Sequence, residues 1–278
     1  MNKIPFLKMN GCGNDFIVVD NREDIMSGID IPGFVRRICA RRVSVGADGF
    51  IMVEKFNKAD FKMRYFNADG SEGEMCGNGA RCAAMFAFLI GAAGDEMRFE
   101  TISGTYEAKI RDGNVLLKFL TLKKDNFLLN KKHEFGGRVR EYCYAHVGVP
   151  HVILFEKGVN GWDDKELIAL GREVRYCTDL FPDGANVNFV EVIDEHHIFI
   201  RTYERGVEDE TYACGTGATA TAIVAGLLGK VKQPVDLLSK GGPLTVHYRI
   251  EENAIVNVYL EGDAKAVVEG FVLPDAWK

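Results

Sequence analysis

The sequence predicts an α+β protein made of two pseudo-symmetric domains, each a curled, mostly antiparallel sheet around one central buried helix. Three observations carry that expectation: a repeated helix-opening motif, a helix after each copy that is apolar nearly all round, and strand-rich sequence around both. Residues 76–91 read CGNGARCAAMFAFLIG and residues 214–229 read CGTGATATAIVAGLLG. Aligned without a gap at an offset of 138, they match at eight of sixteen positions, and the offset is almost half of the 278-residue chain. A self-match at that spacing marks two related halves. Upstream, Tyr65/Tyr203 and Glu72/Glu210 keep the same register.

Each repeated helix must be enclosed, because a helix apolar on every face has no side to turn to water. Gly91 and Gly229 follow at positions suited to a helix C-cap. Alternating patterns predict strands over 16–20, 49–55, 61–67, 97–101, 105–111 and 114–119 in the first half. The second half offers 142–147, 151–155, 187–192, 198–203, 244–250, 254–260 and 264–272. Arg111-Asp112-Gly113-Asn114 reads as a hairpin turn. Residues 33–42 and 165–174 read as surface helices. The expected domains are 1–120 and 121–264, joined near the polar stretch 123–132.

Composition bounds the function. Hydrophobic residues make up 47% and charged residues 27%, which suits an ordinary globular protein with a sizeable core. A formal charge of −6 argues against a nucleic-acid partner, which selects basic surfaces. No segment reads as a signal peptide, and the longest apolar run, 83–93, is shorter than the ~20 residues that span a bilayer. These features lead to the expectation of a cytoplasmic protein with no membrane partner. The seven cysteines (12, 39, 76, 82, 143, 177 and 214) show no CxxC spacing, so no metal site is expected. Cys39, Cys82, Cys143 and Cys177 read as reduced, buried apolar residues, and Cys12 as part of a strand-end turn.

Cys76 and Cys214 are different because each stands at a helix start among glycines. Unpaired N–H groups there attract anions, and their field favours thiolate over thiol. A matched pair of such turns on two domains suits inversion at a carbon beside a carboxylate. One thiolate removes the α-proton while the opposite thiol supplies a proton to the other face. The helix-start N–H groups stabilise charge that develops on the carboxylate. Such a scheme calls for no cofactor. Carrying the bases on separate domains leads to the expectation that the cleft closes on substrate.

These residues also carry a resemblance. Gly13-Asn14-Asp15-Phe16, Phe66-Asn67-Ala68-Asp69-Gly70-Ser71 and Met75 through Cys82 are similar to the diaminopimelate epimerase family. So are Pro150-His151, Asn186-Val187-Asn188-Phe189, Tyr203-Glu204-Arg205-Gly206 and Ala213 through Gly217. The resemblance implies a cofactor-independent enzyme that interconverts LL- and meso-diaminopimelate in lysine and cell-wall synthesis, and that works as a homodimer. It implies that a C-terminal strand in 265–278 returns to pack with the first domain, and that Cys76 and Cys214 are the two bases. Gly77 with Asn78, and Gly215 with Thr216, would hold the reacting carboxylate through backbone N–H groups. Asn14, Asn67, Asn186, Glu204 and Arg205 would bind substrate, the last four at its distal end, and His151 would assist beside the reacting carbon. One departure stands out. The family usually has Gly-Asn-Pro-His where residues 148–151 are Gly-Val-Pro-His, and Val149 has no side-chain hydrogen bond to offer. Rival readings are a related racemase for another amino acid, a thiol redox protein, and a binding module without catalysis.

Overall fold

The computed structural model describes residues 3–73 and 75–277, and the chain divides into two compact units, 1–118 with 262–278, and 119–261. The first unit opens with strands β1 (Ile4–Gly11) and β2 (Asn14–Asp20), joined by the two-residue turn Cys12-Gly13. Both turn residues have positive φ, 51° and 81°, the hairpin geometry whose twist matches the flanking strands. Helix α1 (Ile31–Ile38) crosses over to β3 (Gly49–Glu54), which lies parallel to β2. Strand β4 (Phe61–Asn67) and the two-residue β5 (Glu72–Gly73) lead into helix α2 (Gly77–Leu89). Strand β6 (Glu96–Thr101) returns parallel to β4, and β7 (Gly104–Arg111) and β8 (Asn114–Lys118) complete the run.

The second unit repeats this order. After β9 (Leu122–Lys123) come β10 (Phe127–Phe135), β11 (Arg138–Val147) and β12 (Val149–Phe155). Helix α3 (Asp164–Arg175) crosses to β13 (Asn186–Val192), parallel to β12. Strands β14 (His197–Glu204) and β15 (Asp209–Thr211) lead into helix α4 (Gly215–Leu227). Strand β16 (Val235–Ser239) returns parallel to β14, followed by β17 (Gly242–Ile250) and β18 (Ala254–Asp263). The final strand, β19 (Lys265–Val272), belongs to the first unit, where it pairs antiparallel with β1. Lys278, at the end of the expected C-terminal segment, lies outside the described residues.

The fold is therefore the expected pair of α+β halves, with the same two parallel pairs in each. Those pairs arise because a helix spans each crossover, and only such a connection brings a strand back in the same direction. Helices α2 and α4 are buried along most of their length, as their all-round apolarity requires. Both end alike: Gly91 (φ 66°) and Gly229 (φ 67°) take the left-handed conformation. In each, the next N–H reaches back to an orphan carbonyl, Ala92 to Ala87 at 2.8 Å and Lys230 to Ala225 at 2.9 Å. Helix α1 begins and ends earlier than expected, with Pro32 in its first turn.

Three full strands lack a sequence signal. β1 has little alternation, β16 has five residues, and β10 carries a register shift between Leu128 and Lys131 around Asn130, whose φ is 53°. The stretch 123–132 is structured, forming the end of β9, a 3₁₀ turn and the start of β10. One part of the expected repeat register fails. Tyr65 meets Phe16 edge-on at 6.1 Å, and Phe16 lies against Gly79 of α2. Tyr203 instead belongs to the cluster under α3, with Leu167, Leu170 and Val174. The true counterpart of Tyr203 is Phe66, which occupies the corresponding cluster under α1. A slip of one residue moves a strand side chain to the opposite face, so the tyrosine match is coincidental.

Candidate active site

The cysteine turn of the first unit is built by the end of β5 and the start of α2. Cys76 is the N-cap of α2, with extended backbone (φ −133°, ψ 117°). Its sulfur accepts the Gly79 N–H at 3.4 Å, a role usually filled by a side-chain oxygen. Gly77 and Asn78 follow as the first two helical residues, whose N–H groups have no intrahelical acceptor. A Cβ on Gly77 would meet nothing within 4 Å, so its backbone is open to a ligand. Asn14 comes just after the β1–β2 turn and accepts from the Cys76 sulfur at 3.7 Å. Its amide nitrogen donates to Asp48 at 2.7 Å, which fixes that orientation. Asn67 ends β4, accepting from Tyr65 Oη at 2.8 Å and donating to Ser71 Oγ at 3.1 Å.

Beneath this turn lies a charged group the sequence reading overlooked. Arg81 is fully buried, donating to Asn78 Oδ1 at 2.9 Å, to Cys12 Sγ at 3.2 Å and to the Asp263 carbonyl at 3.3 Å. The available signal was a charged residue inside an otherwise apolar helix, which burial rarely allows without partners.

In the second unit, Cys214 is the N-cap of α4, again extended (φ −117°, ψ 109°), and makes no side-chain cap bond. Its sulfur lies 3.5 Å from Thr216 Oγ1. A Cβ on Gly215 would come within 2.8 Å of Leu260 Cδ2, so glycine lets the helix start sit against β18. Asn186 ties two strand ends together: it accepts the Arg205 N–H at 2.8 Å and donates to the Pro150 carbonyl at 3.2 Å. The Arg205 guanidinium donates to the Asp183 carbonyl at 3.0 Å. Glu204 accepts from Thr211 Oγ1 at 2.8 Å, and burial pushes its carboxyl above the usual range. His151 is fully buried, and burial, reinforced by His146 and Arg205, holds it neutral by lowering its pKa to about 3. Asn188, also overlooked, is fully buried between His151 and the first turn of α4.

The thiols sort into two groups. Burial pushes Cys12, Cys82 and Cys143 up from the ordinary thiol value, and Cys39 to about 12. Cys76 and Cys214 are half-exposed at helix starts, and Cys177, expected to be buried, is half-exposed too, its sulfur 3.8 Å from His133 Nε2. No cysteine is in a disulfide. Among the described residues, no cluster of three or more His, Cys, Asp or Glu is arranged to hold a metal. Among the described residues, no helix is long and apolar enough to cross a membrane.

The two halves of one topology form a fold shared with structures of low sequence identity. A phenazine biosynthesis protein of the PhzF family from Bacillus anthracis matches with a TM-score of 0.72 at 16% identity, covering 98% of this chain and 100% of that one. A hydroxyproline epimerase from Agrobacterium vitis, solved with bound trans-4-OH-L-proline, matches with a TM-score of 0.67 at 17% identity, over 99% and 97%. Within that fold the sequence is more specific. The family model for diaminopimelate epimerase matches residues 6–121 and 143–267, and the diaminopimelate epimerase of Archaeoglobus fulgidus is 39% identical over 97% of this chain and 96% of its own. The chain belongs to the diaminopimelate epimerase family.

Proposed function

We propose that the protein interconverts LL- and meso-diaminopimelate with two sulfurs, one removing the α-proton and the other supplying a different proton on the opposite face. The observation that carries this reading is the pair of half-exposed N-capping cysteines on equivalent helices, in a chain whose buried thiols are held protonated. The turns at Cys76 and Cys214 act on one substrate. The thiolate of one takes the α-proton, and the thiol of the other delivers its proton to the opposite face. The sulfurs end with exchanged protonation states, and the reverse reaction exchanges them back. Helix-start N–H groups of Gly77, Asn78, Gly215 and Thr216 hold the α-carboxylate and stabilise the carbanion-like centre. Asn14 orients the substrate beside Cys76. Asn67, Asn186, Glu204 and Arg205 take the distal end, with Arg205 gripping a carboxylate and Glu204 an ammonium. His151 assists beside the reacting carbon.

No metal or organic cofactor enters the scheme, and reduced thiols fit a cytoplasmic setting. The chain works as a homodimer in this reading, supported by Val267, Val268 and Phe271, all exposed on β19. A second reading, a racemase for another amino acid, is favoured by Val149, which removes one distal donor. The test is turnover of LL-diaminopimelate by fully reduced protein in deuterated water without added cofactor. Meso product carrying one solvent deuterium at the inverted carbon is expected. Absence of turnover, with activity on a different amino acid, would replace the substrate assignment.

A further inference from the structure

The two units differ in what lies behind the first turn of the catalytic helix. In the first unit a Cβ on Gly79 would meet Ile51 Cδ1 at 3.3 Å and Phe16 Cε1 at 3.5 Å, both apolar. In the second unit a Cβ on Gly217 would run into Asn188 Oδ1. Phe16 pairs with Gly49 across β2 and β3, and His151 with Asn186 across β12 and β13. That register makes His151 the counterpart of Phe16, and Asn188 the counterpart of Ile51. The apolar version folds, so the polar pair is not demanded by the topology. Burying polar groups has a desolvation cost, and a buried network kept where its twin is apolar points to chemistry.

The hydrogen bonds of this network determine where the imidazole proton sits. Asn188 donates to the Val152 carbonyl at 3.1 Å, and a carbonyl can only accept, so the atom facing it is the amide nitrogen. Asn188 Oδ1 accepts from Thr202 Oγ1 at 2.9 Å. The second N–H of the amide then points to His151 Nδ1, 3.3 Å away, which must be the unprotonated ring nitrogen. The proton of the neutral ring is on Nε2, which is buried and has no hydrogen-bond partner among the described residues.

We propose that Asn188 is a positioning residue that locks His151 as the neutral Nε2–H tautomer, so that the ring serves as a fixed hydrogen-bond donor in the Cys214 half. This inference rests on the two-cysteine reading above and deepens it. His151 does not shuttle the proton. Its N–H meets the negative charge that the reaction brings to that half and returns unchanged when the charge leaves. Burial, His146 and Arg205 all disfavour the imidazolium, so the tautomer is held through the working pH range.

The test is nitrogen-15 spectroscopy of the histidine rings, with the His151 signals assigned by their loss in His151→Gln. The wild type is expected to show a pyridine-like Nδ1 and a pyrrole-like Nε2, unchanged from mildly acid to mildly alkaline pH. In Asn188→Asp the carboxylate would accept from Nδ1–H, so the pattern should move toward the other tautomer or the imidazolium. Turnover by that variant should fall roughly 10- to 100-fold in kcat with KM little changed. Asn188→Ile, which copies the apolar twin, serves if the aspartate variant does not fold, and predicts a mixed tautomer signature with a similar loss in kcat. A wild-type ring protonated on Nδ1, or doubly protonated near neutrality, would overturn the proposal. So would an altered tautomer with undiminished kcat. Failure of the wild type to turn over diaminopimelate would strike the substrate reading and leave the tautomer result standing.

Discussion

Arg81 and Thr219 occupy the same position of the repeat, yet one carries a buried positive charge and the other a buried hydroxyl. Arg81 braces Asn78, while Thr219 folds back onto the Gly215 carbonyl of its own helix at 2.9 Å. On the sheet side the polarity is reversed: Phe16 and Ile51 stand behind Gly79, and Asn188, bonded to His151, stands behind Gly217. Each unit thus keeps the cysteine turn and the helix that carries it, and each has one polar device behind the turn, in a different place. The lesson is that the duplicated feature is a sulfur at a helix start, and that the features that differ give the two sulfurs different surroundings.

The largest expected contrast concerns the residue four positions before each cysteine. Glu210 is held by Arg201 at 2.6 Å with side-chain exposures of 6% and 2%, whereas Glu72 meets Arg64 at 2.7 Å with 34% and 29%. Glu210→Gln leaves a buried guanidinium short of charge and should cost about 3–5 kcal/mol in chemical unfolding. Glu72→Gln should cost less than about 1 kcal/mol. Equal losses would break the comparison at this point.

A smaller contrast separates the two glycines at the third helical position. Gly217→Ala forces the new methyl against Asn188 and should destabilise by about 1–3 kcal/mol. Gly79→Ala meets only side-chain carbons at 3.3 Å and beyond, and alanine favours the helix, so stability should stay within about 1 kcal/mol of the wild type. Urea midpoints for the two variants decide this.

The smallest effect is in pH dependence. His151 is neutral in the folded protein with a pKa near 3, below its ordinary 6.5. The unfolded chain therefore binds more protons between those values, and stability falls as pH drops through that window. His151→Phe, which copies Phe16, should flatten this part of the acid limb in unfolding measured at pH 5 and pH 8. An unchanged slope would show that His151 is not held neutral.

The turns and helices were legible in the sequence because identity repeated at one offset exposes whatever both halves need. The same method hid the differences. Arg81 against Thr219 is a mismatch in the alignment, and Asn188 lies in a strand whose register slips by one residue relative to its twin. Tyr65 and Tyr203 show the opposite error, an identity without structural equivalence. Strand β10 escaped notice because Lys131, Lys132 and His133 interrupt its apolar pattern, and its partner β11 supplies the pairing that the local sequence does not announce. Cys76 and Cys214 were visible from the repeat of the glycine turn, and the motif asparagines from the family resemblance. Their supports required knowing which side chains lie behind a turn.

The most direct measurement is α-proton exchange and inversion by Cys76→Ala and Cys214→Ala, each in deuterated water with both LL and meso substrate. Two sulfurs that take and return the proton on opposite faces predict that inversion falls by about 10² or more in each variant. Any residual exchange should be confined to one epimer and return the proton to the face it left, with the favoured epimer opposite in the two variants. Inversion at the wild-type rate by either variant would contradict the two-base account.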